Sequence, residues 1–250
     1  MDQNSEIRIV ENAKTAVLFI HGILGTPRHF SHILPLVSFV PDHVSYYNMQ
    51  LPGHGGTVGD FSRSSMRQWK DAVWKVFDQL ADTHERIVIV GHSMGTLFAL
   101  QLAADFPDKV AQLFLLAAPI RPWVSWQGMV CCIRASFGRI REDRPSQQAI
   151  LRAGGTTLTK QLWRYIPWVP HMIALLLEAR KTEKCLPRLE TEAWVYQSRR
   201  DEMVSLRSGK IMANYKPITL TTLPDSTHFY YPPEDMKIVC TAFTEALTRL

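Results

Sequence analysis

Long apolar runs are missing from this sequence. The longest, Trp123 to Ile133 and Ile166 to Leu177, are too short and too interrupted to cross roughly 30 Å of hydrocarbon, so no stable membrane insertion is expected. A basic and apolar leader is missing too, because Met1 is followed by Asp2, Gln3, Asn4, Ser5 and Glu6, and no export signal is readable. Cysteine is scarce: Cys131, Cys132, Cys185 and Cys240 have spacings that suit neither a metal site nor the disulfide framework of a small secreted fold. These features predict reduced thiols and a cytoplasmic location. Charge of one sign is not concentrated. The 28 Lys and Arg against 23 Asp and Glu leave +5, and apart from Arg134, Arg139, Arg141 and Arg144 the basic residues are scattered. That pattern predicts solvated surface and no nucleic-acid partner. The sequence has no H-E-x-x-H pair, and His29 with His32 reads as surface or packing, so no metal is expected.

What is present is the composition of a globular protein, with 46% hydrophobic and 20% charged residues in a chain of 250. This length suits one domain with an insertion. Apolar runs bounded by turn residues alternate with segments of helical period, the pattern of a sheet fed by crossover helices, so the class is α/β. The predicted strands are Ile7 to Val10, Ala16 to Ile20, Val44 to Met49, Ile87 to Val90, Leu113 to Ala117, Ala193 to Gln197 and Ile218 to Leu223. Several are continuous in Val, Ile and Leu, as strands covered on both faces must be. Thr26 is placed to cap a helix that begins with Pro27 and carries Phe30, Ile33, Leu34 and Val37 on one face. After Ser65, the spacing of Met66, Trp69, Val73, Val76, Phe77 and Leu80 predicts a second amphipathic helix. A last helix starts at Pro233 and carries Met236, Val239, Cys240, Phe243 and Leu247. The alternation breaks after Pro119 and resumes near Arg188. Residues 119–188 therefore read as an inserted helical cap, with residues 1–118 and 189–250 forming the core.

The strongest chemical signal is Gly91-His92-Ser93-Met94-Gly95, which follows the strand Ile87 to Val90 and precedes a helix containing Ala99, Ala103 and Ala104. Strand, tight turn and helix form the context of a nucleophile elbow. The turn is strained, and small flanking residues let strand and helix approach closely enough to hold it. Ser93 is thus the predicted nucleophile. Scaffolds of this kind place the acid and then the base after the nucleophile in the chain. Asp201, just beyond the strand Ala193 to Gln197, is the predicted acid, with Glu202 as its competitor. His228, between the strand Ile218 to Leu223 and the last helix, is the predicted base, while Asp225 is read as shaping its turn. The loop His21-Gly22-Ile23-Leu24-Gly25 follows an early strand, so the backbone amides of Ile23 and Met94 are the predicted oxyanion donors.

With these residues in place the chain resembles the α/β-hydrolase superfamily, and within it small bacterial carboxylesterases and monoacylglycerol lipases with a helical cap. The resemblance rests on His21-Gly22 with Gly25 and Thr26, on Leu51-Pro52-Gly53-His54-Gly55, and on the elbow at Ser93. It extends to Phe106-Pro107-Asp108-Lys109-Val110, to Asp201 before Met203-Val204, and to His228. The chain departs from those esterases at Ile23, where an aromatic residue is common, and at Ser226-Thr227, where they carry a small pair. The resemblance implies the α/β-hydrolase fold, with a mostly parallel sheet and helices on both faces. It also implies a serine hydrolase that needs no cofactor and cleaves a small-molecule ester or monoacylglycerol through an acyl-enzyme. A thioester, a peptide bond at a chain N-terminus, or a non-catalytic ligand-binding role on the same scaffold are the alternatives. Trp123, Trp126, Met129, Trp163 and Trp168 in the cap are expected either to line an acyl pocket or to pack the cap itself.

Overall fold

The computed structural model describes residues 5–37, 44–121, 148–149 and 155–249. Seven strands form one sheet in the order β1-β3-β2-β4-β5-β6-β7. They are β1 (Glu6–Arg8), β2 (Thr15–Ile20), β3 (Val44–Met49), β4 (Arg86–His92), β5 (Val110–Leu116), β6 (Glu192–Ser198) and β7 (Ile218–Leu223). Only β1 runs antiparallel, against β3, and the other pairs are parallel. All seven overlap strands expected from the sequence; β3 and β7 match the expected bounds, whereas β1 shares only Ile7 and Arg8 with the run Ile7 to Val10.

The continuous apolar runs are explained by burial on both faces. In β2 every residue is buried, and successive side chains enter opposite layers. Leu18 and Ile20 join Ile87, Ile89, Leu113 and Leu115 under the helices Met66–Thr83 and Met94–Asp105. Val17 and Phe19 join Val88, Val90, Phe114 and Leu116 under the segment around Phe30 and Ile33 and the helix Pro233–Thr248. The helix after Ser65 starts where expected, with the Ser65 side chain accepting from the Gln68 amide. The Met94–Asp105 helix is buried around almost its whole circumference, which its Ala and Leu content allows.

Two local expectations need correction. The helix expected from Pro27 is divided into a 3-10 turn, Pro27–Phe30, and a single α-turn, Leu34–Val37. A short helix, Val58–Arg63, was not foreseen. It is held by a capping box in which Thr57 accepts from the Asp60 amide and Asp60 accepts from the Thr57 amide.

Within residues 119–188, the described elements are the 3-10 helix Leu162–Trp168, the helix Val169–Glu183 and the turn Leu186–Arg188. The helix Val169–Glu183 is inverted relative to an ordinary surface helix. Its buried residues include the polar His171, Glu178 and Thr182, whereas Val169, Met172, Ile173, Leu176 and Leu177 are exposed. Polar partners in the core explain this orientation. Glu178 accepts from Gln101 at 3.0 Å and from Lys70 at 3.3 Å, Gln101 also donates to Thr182 at 2.7 Å, and His171 donates to the Phe61 carbonyl at 3.2 Å. Among the described residues no helix is long and apolar enough to cross a membrane.

Candidate active site

β4 ends at His92, and the chain turns at Ser93 into the helix Met94–Asp105. Ser93 has φ 50° and ψ −121°, a backbone conformation that L-residues rarely adopt. Its amide donates to the Leu116 carbonyl at 2.9 Å, while its own carbonyl accepts from the Thr96 amide at 3.0 Å and the Thr96 hydroxyl at 2.6 Å. Strand and helix come so close that a Cβ on Gly91 would lie 2.9 Å from the Thr96 backbone, and one on Gly95 would lie 2.0 Å from the Ile20 carbonyl oxygen. The second contact involves two backbone segments of the core, neither of which can yield. Gly95→Ala is therefore expected to destabilise the fold by about 3 kcal/mol or more. A urea midpoint unchanged from the parent would contradict this account of the elbow.

The three predicted side chains come from the C-terminal ends of three strands and meet. His228 Nε2 lies 3.1 Å from Ser93 Oγ, and His228 Nδ1 lies 3.0 Å and 3.1 Å from the two Asp201 oxygens. With Nδ1 donating to the carboxylate, the Nε2 lone pair faces the serine hydroxyl. Asp201 is fixed by a tight turn in which its Oδ1 accepts from the amides of Met203 at 2.8 Å and Val204 at 2.7 Å. Burial alone would push the His228 pKa down. The charge and hydrogen bond of Asp201, with the charge of Glu202, outweigh that and raise it above the ordinary 6.5.

The loop after β2 abuts the elbow: a Cβ on Gly22 would sit 2.7 Å from Ser93 Cβ. Ile23 lies within the turn closed by the Gly25 amide and the Gly22 carbonyl at 3.0 Å. Met94 opens its helix, where an amide has no intrahelical partner. His21 braces this loop. Its Nε2 accepts from the Leu51 amide at 3.0 Å, so Nδ1 carries the proton and donates to the Gly22 carbonyl at 2.8 Å. Burial lowers the His21 pKa to about 4, which keeps the ring neutral.

Three features near the three predicted side chains were not legible in the sequence. His29, read as surface or packing, is half-buried and lies against His92 with ring centroids 3.6 Å apart and planes inclined by 34°. Burial, reinforced by neighbouring imidazoles, takes its pKa down to about 3. Glu202, the competitor for the acid, does not contact the imidazole nitrogens, and its carboxylate accepts instead from the His228 amide at 3.2 Å. Asp235, on the last helix, is buried and accepts from the Asp225 and Ser226 amides and the Ser226 hydroxyl at 3.0, 2.7 and 2.6 Å. No sequence signal singles out Asp235, since an acidic residue in the first turn of a helix is ordinary. Asp225 itself pairs with Arg200 at 3.0 Å.

Of the cap aromatics, Trp163 is 65% exposed. Trp168 packs edge-on against Phe61, with centroids 4.8 Å apart, and donates to Ser62 Oγ at 3.0 Å. Trp123, Trp126 and Met129 lie outside the described residues. Among the described residues, no three His, Cys, Asp or Glu side chains are grouped to hold a metal ion.

Comparison with known proteins identifies relatives of this arrangement. A family model described as the alpha/beta hydrolase family matches residues 17–242. The chain is 31% identical over 109 residues to Protein PHYLLO, chloroplastic, of Arabidopsis thaliana, an alignment covering 40% of this chain and 6% of that protein. It is 29% identical over 98 residues to the thermostable monoacylglycerol lipase of Bacillus sp. (strain H-257), covering 39% of this chain and 38% of that one. The chain thus spans well under half the length of these curated relatives. Among solved structures, one from the work on LipS and LipT, two metagenome-derived lipolytic enzymes, superposes with a TM-score of 0.73 at 18% identity, covering 99% of this chain and 98% of that one.

Proposed function

Because this chain belongs to the alpha/beta hydrolase family, we propose that it is a serine carboxylic ester hydrolase of the carboxylesterase or monoacylglycerol lipase type, working through a covalent acyl-enzyme on Ser93. The observation that carries the reading is the line of hydrogen bonds from Asp201 through His228 to Ser93, with 3.0 Å on one side of the imidazole and 3.1 Å on the other. His228 takes the hydroxyl proton through Nε2 as Ser93 Oγ attacks the ester carbonyl. Asp201 holds the imidazole in the required tautomer and stabilises its cation. The amides of Ile23 and Met94 bind the oxyanion. The imidazolium then protonates the departing alcohol and leaves an acyl-serine. A water deprotonated by the same ring releases the carboxylic acid and restores Ser93.

A small-molecule ester or monoacylglycerol is the substrate class, in keeping with the lipase named among the relatives. Residues 119–188 are the proposed cap, with Trp123, Trp126, Met129, Trp163 and Trp168 as the candidate acyl-contacting side chains. A peptidase would need a carboxylate for the substrate amine. Two of the cap carboxylates available for that purpose are already engaged, Glu178 with Lys70 and Lys181 and Glu183 with Arg121. The free thiols of Cys185 and Cys240 suit the cytoplasmic location proposed for the enzyme.

The test is a fluorophosphonate probe with peptide mass mapping, alongside hydrolysis of p-nitrophenyl esters. Ser93 is expected to carry the phosphonate. Because the base works in its neutral form and its pKa lies above 6.5, kcat/KM should fall as pH drops through a midpoint above 6.5. An unlabelled Ser93 in an enzyme that still turns over ester would reject the mechanism, and an acid limb at or below 6.5 would reject the electrostatic account of His228.

A further inference from the structure

The base must keep its ring in line between two partners, yet it stands in a loop. Residues Asp225 to Pro232 connect β7 to the last helix without regular structure. Asp235 anchors the loop upstream at Ser226. Downstream, the Thr227 amide donates to the Tyr230 carbonyl at 2.8 Å, and the Tyr230 amide to the Thr227 hydroxyl at 3.2 Å. Neither contact holds the peptide groups of His228.

Those groups are held by side chains from the two other strand ends. The His228 amide donates to Glu202 Oε2 at 3.2 Å, and the His228 carbonyl accepts from His92 Nε2 at 2.9 Å. Glu202 follows the acid directly and His92 directly precedes the nucleophile. Resting on the triad reading above, we infer that His92 and Glu202 are positioning residues: together they clamp both main-chain groups of His228, so that its imidazole stays aligned between Asp201 and Ser93.

The tautomer of His92 follows from its partner. A carbonyl oxygen has no proton, so His92 donates from Nε2, and in the neutral ring Nδ1 is then unprotonated. Burial holds its pKa well below 6.5, assisted by His29 and His228. His29 packs against the ring, its plane inclined by 34°. Neutrality matters because the His92 and His228 centroids lie only 4.9 Å apart, and a charge on His92 would oppose the imidazolium that forms on His228 during turnover. Among the described residues, the groups that act electrostatically on this region are Asp201, Glu202, His21, His29, His32 and His92, and of these the two carboxylates favour the cation on His228.

Displacing a catalytic group by about 1 Å costs about 100-fold in rate. His92→Phe, which keeps the ring and the His29 contact but has no donor, should lower kcat by about 10- to 100-fold and leave KM within about twofold. His92→Gln, which restores an N–H at similar reach, should recover most of the loss. Glu202→Ala should lower kcat by about tenfold. Glu202→Gln keeps an acceptor for the His228 amide but removes the charge. It should recover kcat on the pH plateau while shifting the acid limb to lower pH, because the imidazolium loses one stabilising carboxylate. Scaffold damage alone would not separate Gln from Ala or move the limb.

Parent-like kcat in both His92→Phe and Glu202→Ala overturns the inference. If His92→Phe fails to fold, judged by circular dichroism, the Glu202 pair decides: Ala below Gln on the plateau supports the clamp and equality overturns it. The proposed function fails in a different way, through a parent enzyme that does not label at Ser93.

Discussion

Ser93→Ala should lose about 10⁴- to 10⁶-fold in kcat toward p-nitrophenyl esters while remaining folded. The large factor arises because the substitution removes the oxygen aligned with His228 Nε2 at 3.1 Å, and the proposed triad works as a unit. Oxyanion donors and substrate binding alone leave the small residual rate. The fold should persist because the elbow is held by backbone and Thr96 contacts to the Ser93 amide and carbonyl, none of which involves the hydroxyl. Alanine adopts φ 50° with a steric cost like that of serine. Steady-state kinetics with a matched thermal melt check both halves. Parent-level turnover in the variant would end the acyl-enzyme proposal.

Asp201→Asn should cost about 10⁴-fold, although it changes a single atom. The reason is local to this site. Oδ1 of Asp201 already accepts from the Met203 and Val204 amides, and only an oxygen can serve there. The asparagine is thereby oriented with its NH₂ at the position of Oδ2, 3.0 Å from His228 Nδ1. An amide donor facing Nδ1 forces the ring proton onto Nε2, and a protonated Nε2 cannot take the proton of Ser93. The His228 pKa also falls, since the carboxylate that raised it is gone. A loss of less than about tenfold in kcat/KM would show that Asp201 is not the residue orienting the base.

Much of the fold was legible because its determinants are local. β2 and β4 are runs of Val, Ile, Leu and Phe, and such runs are required of parallel strands covered on both faces. The helix from Met66 was legible from its 3.6-residue period and its Ser65 cap. The segment after Pro27 was less so: Phe30, Ile33 and Val37 are all buried as their spacing implied, but the chain reaches that burial through a 3-10 turn and one α-turn. The orientation of the helix Val169–Glu183 was not legible. Its exposed Val169, Met172, Ile173, Leu176 and Leu177 lie opposite a face that the buried Gln101 and the half-buried Lys70 hold inward through Glu178.

By itself, the sequence determined the strands, the strained elbow at Ser93 and the chain order of the proposed nucleophile, acid and base, because each follows from short-range sterics, apolar period or chain order. Tertiary structure alone decided how His228 is held: Glu202 on its amide, His92 on its carbonyl and Asp235 under its loop. Those contacts join strand ends far apart in the chain. Which side chains meet there is set by sheet order and register, and by the burial that keeps His21, His29 and His92 neutral while Asp201 favours the charged form of His228.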